Sequence, residues 1–224
     1  MDKKYVKDYI ARRVANELKD GFVVNLGVGL PTLCTKYLPE GVKICIDAEL
    51  GIVGQGATPM PGDANYDPLN VVDAGGKASM MRVGGSCFDS FRSFGFIRGG
   101  HIDATVLGAY EVDAEGNLAN WMIPGKTAAG MGGAMDLVTG SKITIVMTTH
   151  TDKAGNPKIV EKTKMPLTGY HCINYVVSEL AVIEITPEGA KLLETAPGVS
   201  VEDVQAKTGA KLIIPETVGC MVKE

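Results

Sequence analysis

Three times in the first eighty residues a short apolar run stops at a glycine-rich turn. Residues 22–26 run into Gly27-Val28-Gly29, residues 43–47 into Ala48-Glu49-Leu50-Gly51, and residues 71–73 into Ala74-Gly75-Gly76-Lys77. Each run is too short for a helix, carries β-branched side chains, and reads as a buried strand. Glycine at its end tolerates positive φ and lets backbone or ligand come close. Ahead of the first run, residues 4–19 set Tyr5, Val6, Ile10, Val14 and Leu18 on one helical stripe, with Gly21 as the stop. Behind it, Pro31 is placed to open a second helix, because the first turn has no use for the N–H that proline lacks. Strands that alternate with helices and end in glycine predict an α/β fold with an open, mostly parallel sheet.

The second half of the chain adds antiparallel pieces. Residues 102–112 form an apolar run, Asp113-Ala114-Glu115-Gly116-Asn117 has the composition of a hairpin turn, and residues 118–123 return antiparallel. Residues 142–149 predict a strand, followed by a turn over 153–157. Another strand over 180–185 precedes Thr186-Pro187-Glu188, which reads as N-cap, first helical residue and first-turn acid. A short helix over 200–207 and a last strand over 211–215 complete the order. No repeat, linker or low-complexity tract interrupts it, so residues 1–224 are read as one domain.

Composition removes several classes of function. With 45% hydrophobic and 21% charged residues, a chain of 224 can bury a core without disulfide or metal staples. The net charge is −4 and no Lys/Arg run reaches four residues, so the basic footprint of nucleic-acid binding is missing. No apolar stretch approaches a membrane span. The start Met1-Asp2-Lys3-Lys4 passes into an amphipathic pattern without the apolar core of a signal peptide. Cys34, Cys45, Cys87, Cys172 and Cys220 are odd in number and make no CxxC pair, which suits reduced thiols in a cytoplasmic protein.

Candidates for chemistry are few. His101, His150 and His171 occupy no metal-ligand spacing, and no serine sits in a GxSxG elbow, so each histidine reads as structural. Over residues 44–56 a strand delivers Glu49 to its C-terminal end, the edge where open α/β sheets bind ligands. An aimed, desolvated carboxylate there can attack an acyl carbon, although acids after strands also serve as helix caps or solvated turns. Over residues 130–137, Gly130, Gly132 and Gly133 allow backbone N–H groups to face a cavity and hold a phosphate or an oxyanion. The same block also fits a tight turn before the next strand. Gly27-Val28-Gly29 is a weaker case of the same kind and lacks the third glycine of a dinucleotide fingerprint. Lys77, after a glycine pair, could meet an anion.

Taken together these segments resemble the β half of family I CoA-transferases, the group of the acetate, butyrate and acetoacetate CoA-transferases and of succinyl-CoA:3-oxoacid CoA-transferase. The resemblance runs from Asn25-Leu26-Gly27-Val28-Gly29-Leu30-Pro31 to Ile213-Ile214-Pro215. Its most specific parts are Ile97-Arg98-Gly99-Gly100-His101, the block from Leu118 through Trp121 to Lys126, and the block from Gly130 to Leu137. It implies the NagB/RpiA/CoA-transferase-like α/β fold and a ping-pong transfer of CoA between a short-chain acyl-CoA and a carboxylic acid. The family's nucleophilic glutamate, in a Ser-Glu-Asn-Gly motif, falls on Glu49, where this chain reads Ala48-Glu49-Leu50-Gly51. By the same carry-over Asn25 and Lys77 are CoA contacts, and Gly132, Gly133 and Ala134 are backbone contacts near the thioester. The resemblance further implies no metal, no permanently bound cofactor, CoA as a substrate, and an α subunit that completes the site in an αβ or α2β2-type complex. Two other readings remain at this stage: a sugar-phosphate isomerase or sensor of related fold, and a partner subunit without chemistry of its own.

Overall fold

A computed structural model describes residues 3–126, 128 and 130–221; Met1 and Asp2, the first residues of the segment expected not to be a signal peptide, lie outside it. Helix α1 (Lys3–Ala15) buries Ile10 and Val14 completely and Leu18 just beyond its end. It stops short of the expected residue 19 because the N–H groups of Asn16, Glu17 and Leu18 turn to carbonyls three residues back. Gly21, at φ +80°, then swings the chain into β1 (Val23–Leu26). Pro31 opens a 3₁₀ helix (Pro31–Lys36), as its position predicts. β2 (Cys45–Ala48) and β3 (Ile52–Gln55) form a tight hairpin, and β4 (Met81–Cys87) pairs with β3.

Next come α2 (Ser90–Arg98), capped by the Asp89 carboxylate on the Arg92 N–H, and β5 (Ile102–Leu107). β6 (Glu111–Asp113) and β7 (Leu118–Ala119) make the expected hairpin, which continues as a small sheet with β9 (Ile159–Val160). α3 (Ala134–Gly140) leads directly into β8 (Ser141–Met147). β10 (Tyr175–Val177), β11 (Ala181–Thr186), β12 (Gly189–Thr195), α4 (Val201–Lys207) and β13 (Gly219–Cys220) complete the chain. Ser200 caps α4 in a reciprocal capping box with Asp203.

The main sheet has ten strands in the order β13-β12-β11-β10-β8-β5-β1-β2-β3-β4. Its centre, β10-β8-β5-β1-β2, is parallel throughout, while β3, β4, β11 and β12 add antiparallel flanks and β13 rejoins in parallel. This is the open, mostly parallel sheet with antiparallel additions that the sequence predicts. Alternation along the strands divides the core. Val24, Ala104, Val106, Ile145 and Met147 pack with α1 and the 3₁₀ helix, whereas Val23 belongs with Phe94, Ile97, Ile102 and Leu137 of the α2–α3 side.

Three expectations fail for identifiable reasons. Residues 71–73 do not enter the sheet: Val72 makes one isolated bridge to Ala78, and the Asp73 carboxylate closes a turn by accepting from the N–H groups of Gly75 and Lys77. Two valines followed by an acid, between Asn70 and a glycine turn, bury too little to compete for a place in the sheet. Thr186-Pro187-Glu188 is a hairpin turn, not a helix start, because residues 189–195 alternate and send Ala190 and Leu192 into the core. Residues 211–215 contribute only the bridge from Ile213 to Lys191, and the last strand is β13. β4 and α2 were not expected at all. β4 has glycines at 84 and 85 in place of an alternating pattern, and a Cβ on Gly54 of β3 would stand 2.8 Å from the Gly85 Cα.

All three histidines are structural in their surroundings. His101 stacks on Phe96, and His171 reaches the Glu115 carbonyl through Nδ1. His150 is fully buried, with Nδ1 2.8 Å from Ser178 Oγ and Nε2 2.8 Å from Thr208 Oγ1. Burial pushes its pKa down to about 4. The unfolded chain therefore takes up this proton near pH 6.5 and the native state does not. The stability that His150 supports is complete above that pH and drains away as pH falls toward 4. Between pH 7.5 and pH 5, urea titration should show the wild type losing about 2 kcal/mol more stability than His150→Gln. Equal pH slopes for the two proteins would refute this account of His150.

Candidate active site

Glu49 stands at the turn of the β2–β3 hairpin, where the parallel centre of the sheet gives way to its antiparallel flank. The turn is closed by the Gly51 N–H on the Ala48 carbonyl at 2.9 Å. Gly51 adopts φ +129°, and a Cβ there would collide with the Phe88 carbonyl, so glycine is required. The Phe88 N–H donates to the Gly51 carbonyl at 3.0 Å, tying the hairpin tip to the segment that caps α2. Of the two residues beside Glu49, Ala48 is buried and Leu50 is half exposed at the tip.

Asp47 in β2 and Glu49 in the turn just past it both reach Asn25, which stands opposite Asp47 on β1. The Asn25 side-chain amide is buried and has three acceptors for its two N–H groups. These are the Asp47 carbonyl at 3.1 Å, Asp47 Oδ2 at 3.2 Å and Glu49 Oε2 at 3.1 Å. Three oxygens around the amide fix its orientation, since its own oxygen could not sit among them. Asp47 is 2% exposed, and its Oδ1 has no hydrogen-bond partner. Burial, opposed by the Asn25 hydrogen bond and assisted by the charge of Glu49, raises its pKa to about 6.

The glycine block arrives from the other side. A Cβ on Gly133 would lie 3.0 Å from Glu49 Cγ and 3.4 Å from the Phe94 ring, so the absence of a side chain lets α3 begin directly against the glutamate. Gly132 precedes it at φ +58°, and the Ala134 N–H makes a long 3.4 Å bond to the Met131 carbonyl. Glu49 also lines an open groove of about 690 Å³, together with Thr32, Lys36, Gln55, Met60 and Lys77. Lys77 is exposed, on the turn that Asp73 organises. That turn rests on the first glycine segment, where a Cβ on Gly75 would lie 3.0 Å from the Val28 side chain.

The residues singled out from sequence thus fall into one place. Asn25 and Gly133 touch Glu49, Gly132 and Ala134 flank that contact, and Lys77 shares the groove. Asp47 and Phe94 were missed. The signal for Asp47 was available, because an acid two residues before Glu49 in a strand is expected to share its face. Among the described residues no three His, Cys, Asp or Glu side chains gather as a metal site, and no helix is long and apolar enough to cross a membrane.

Comparison with known proteins agrees with this geometry. Residues 7–207 match the family model described as Coenzyme A transferase. The beta chain of the acetate CoA-transferase of Haemophilus influenzae is 50% identical over 210 residues, covering 94% of this chain and 92% of that one. One of the subunits of the probable succinyl-CoA:3-ketoacid coenzyme A transferase of Bacillus subtilis is 41% identical over 216 residues, with 96% and 98% covered. Among solved structures, an acyl-CoA transferase (YdiF) of Escherichia coli superposes with a TM-score of 0.73 at 22% identity, covering 97% of this chain and 43% of that one, a likeness of fold. On a family match spanning most of its length, this chain belongs to the Coenzyme A transferase family, as a β-type member of family I.

Proposed function

We propose that Glu49 is the covalent nucleophile of this CoA-transferase and carries CoA as a glutamyl thioester between a short-chain acyl-CoA and an acceptor carboxylate. The observation that supports this most directly is the setting of Glu49, at the C-terminal edge of the parallel strands, hydrogen-bonded by a buried amide and lining an open groove that Lys77 also lines. A glutamate oxygen attacks the donor acyl carbon and CoA leaves as a thiolate, giving a mixed anhydride. The thiolate then attacks the glutamyl carbonyl and expels the donor acid, leaving the thioester. The acceptor carboxylate runs the same two steps in reverse.

The hydrogen bond from Asn25 holds one carboxylate oxygen, which leaves the other to attack. Each tetrahedral intermediate develops an oxyanion, and the backbone from Gly132 to Ala134, against Glu49, is the nearby source of donors. Lys77 is suited to an anionic part of CoA, and remote binding energy of that kind can be used at the reacting centre. The acetate and succinyl-CoA:3-ketoacid relatives are named as a beta and a B subunit, and the groove is open. We therefore assign this chain an α-subunit partner that covers the groove, with acetate, butyrate or acetoacetate as the class of acid.

Three outcomes follow from this reading. Co-expression with its α subunit should yield a co-purifying, active complex, and full activity of this chain alone would contradict the shared site. Gly133→Val should fold and bind the partner yet lose at least about tenfold in kcat, since the new side chain displaces Glu49 from attack geometry; unchanged kinetics would make the block a structural turn. Incubating the complex with acyl-CoA and then borohydride should reduce Glu49 to an alcohol, lowering the mass of its peptide. Glu49→Gln should abolish both the adduct and the transfer. An adduct on another carboxylate, or transfer by Glu49→Gln, would end the proposal.

A further inference from the structure

The centre of the main sheet carries a row of polar residues where buried parallel strands ordinarily carry aliphatic ones. Asp47, Asn25, Thr105 and Thr144 stand opposite one another across β2, β1, β5 and β8. Each is at most 2% exposed. The row ends beside Glu49, in the turn just past β2, which shares the Asn25 amide with Asp47. Two of its atoms, Asp47 Oδ1 and Thr105 Oγ1, are buried without a hydrogen-bond partner. A buried carboxylate with an idle oxygen is a standing cost, and structure alone gives no reason to keep it.

What Asp47 does have is a shared donor. Its Oδ2 and Glu49 Oε2 lie 3.2 Å and 3.1 Å from the same Asn25 nitrogen, so two carboxylates are held at one amide. Asn25 on β1 and Val53 on β3 flank Asp47 and are neutral, so the charged group facing it is Glu49. Two such anions at close range in a desolvated place repel each other. Resting on the reading of Glu49 as nucleophile, we infer that Asp47 is a positioning residue that destabilises free, ionised Glu49 and drives it toward the thioester. When the thioester forms, the Glu49 oxygen departs in the donor acid and the negative charge goes with it. Asp47 is then left as the only anion on Asn25. The repulsion present before reaction is absent after it, and the difference favours acylation. Asp47 also keeps the Asn25 amide turned with its N–H groups toward the glutamate.

The test uses the complex with the α subunit. Asp47→Asn keeps an acceptor for Asn25 and removes the charge. The thioester fraction trapped by borohydride at a fixed acyl-CoA to acid ratio should fall about tenfold, the order of effect of one like charge removed from close range. The wild-type thioester fraction should also change with pH around 6, where Asp47 titrates, and this dependence should be lost in the variant. The same thioester fraction and the same pH dependence in both proteins would overturn the inference while leaving Glu49 as nucleophile. Absence of any adduct in the wild type would overturn both. A second measurement does not require the variant to fold. In wild-type complex carrying ¹³C-carboxyl aspartate, the aspartate that titrates near pH 6 should move to lower pH when Glu49 is held as the thioester. A midpoint that stays in place would equally refute the role.

Discussion

β1 is four residues long, yet it is bonded in parallel on both sides, to β2 through Val23, Val24 and Asn25 and to β5 through Val24, Asn25 and Leu26. Its alternating side chains reach both layers, Val24 toward α1 and Val23 toward α2 and α3. Because both neighbours are parallel, all three strands end on the same side of the sheet. Gly27 follows at once, close-packed against Leu107 and the Val106 carbonyl, with its N–H donated to that carbonyl at 2.9 Å. A Cβ there would stand 3.1 Å from the Leu107 side chain and 3.2 Å from that carbonyl, so a larger residue would have to push them aside. Asn25 therefore has one possible neighbourhood, and the hairpin that carries Glu49 is measured from it.

The polar row across this centre is a departure from the way buried sheets are usually filled. A buried amide can be satisfied, and Asn25 is, by the Asp47 carbonyl and the Glu49 carboxylate. A buried carboxylate without a cation is different, and a pKa of about 6 for Asp47 records the strain in a titratable form. Perturbed groups gather where chemistry needs them. By contrast His150, equally buried, meets a hydroxyl at each ring nitrogen and belongs to the ordinary business of closing the fold.

Much of the fold was legible because periodicity and punctuation agreed. The stripe on α1, the proline of the 3₁₀ helix, the capping box of α4 and the runs of β8 and β11 all have local causes. The failures were places where local signal and tertiary context diverged. Thr186-Pro187-Glu188 has the chemistry of a helix start, but the alternation after it pairs with β11 and prevails. β4 has no pattern of its own and exists because β3 offers it an edge. The site followed the same rule. Glu49 and the glycine block could be found by type and place in the chain. Their contact through Gly133 could not, since it depends on how α3 docks. Asp47 was readable but unremarked, because a strand acid near a stronger candidate is easily taken for part of the turn.

The three segments that meet at Glu49 come from residue 25, from the hairpin near 49 and from the start of α3 at 133, and the link between them runs through β1 and β5, about eighty residues apart. Contacts so distant in sequence form late, because the intervening chain must be closed before they give anything back. The β2–β3 hairpin can form early, but a hairpin alone holds a glutamate that is hydrated and free to turn. The setting of Glu49 against Asn25 and Gly133 therefore depends on that long-range pairing. Before that pairing is made, Glu49 is an ordinary surface carboxylate, and its setting against Asn25 and Gly133 serves as the fold's own certificate of completion.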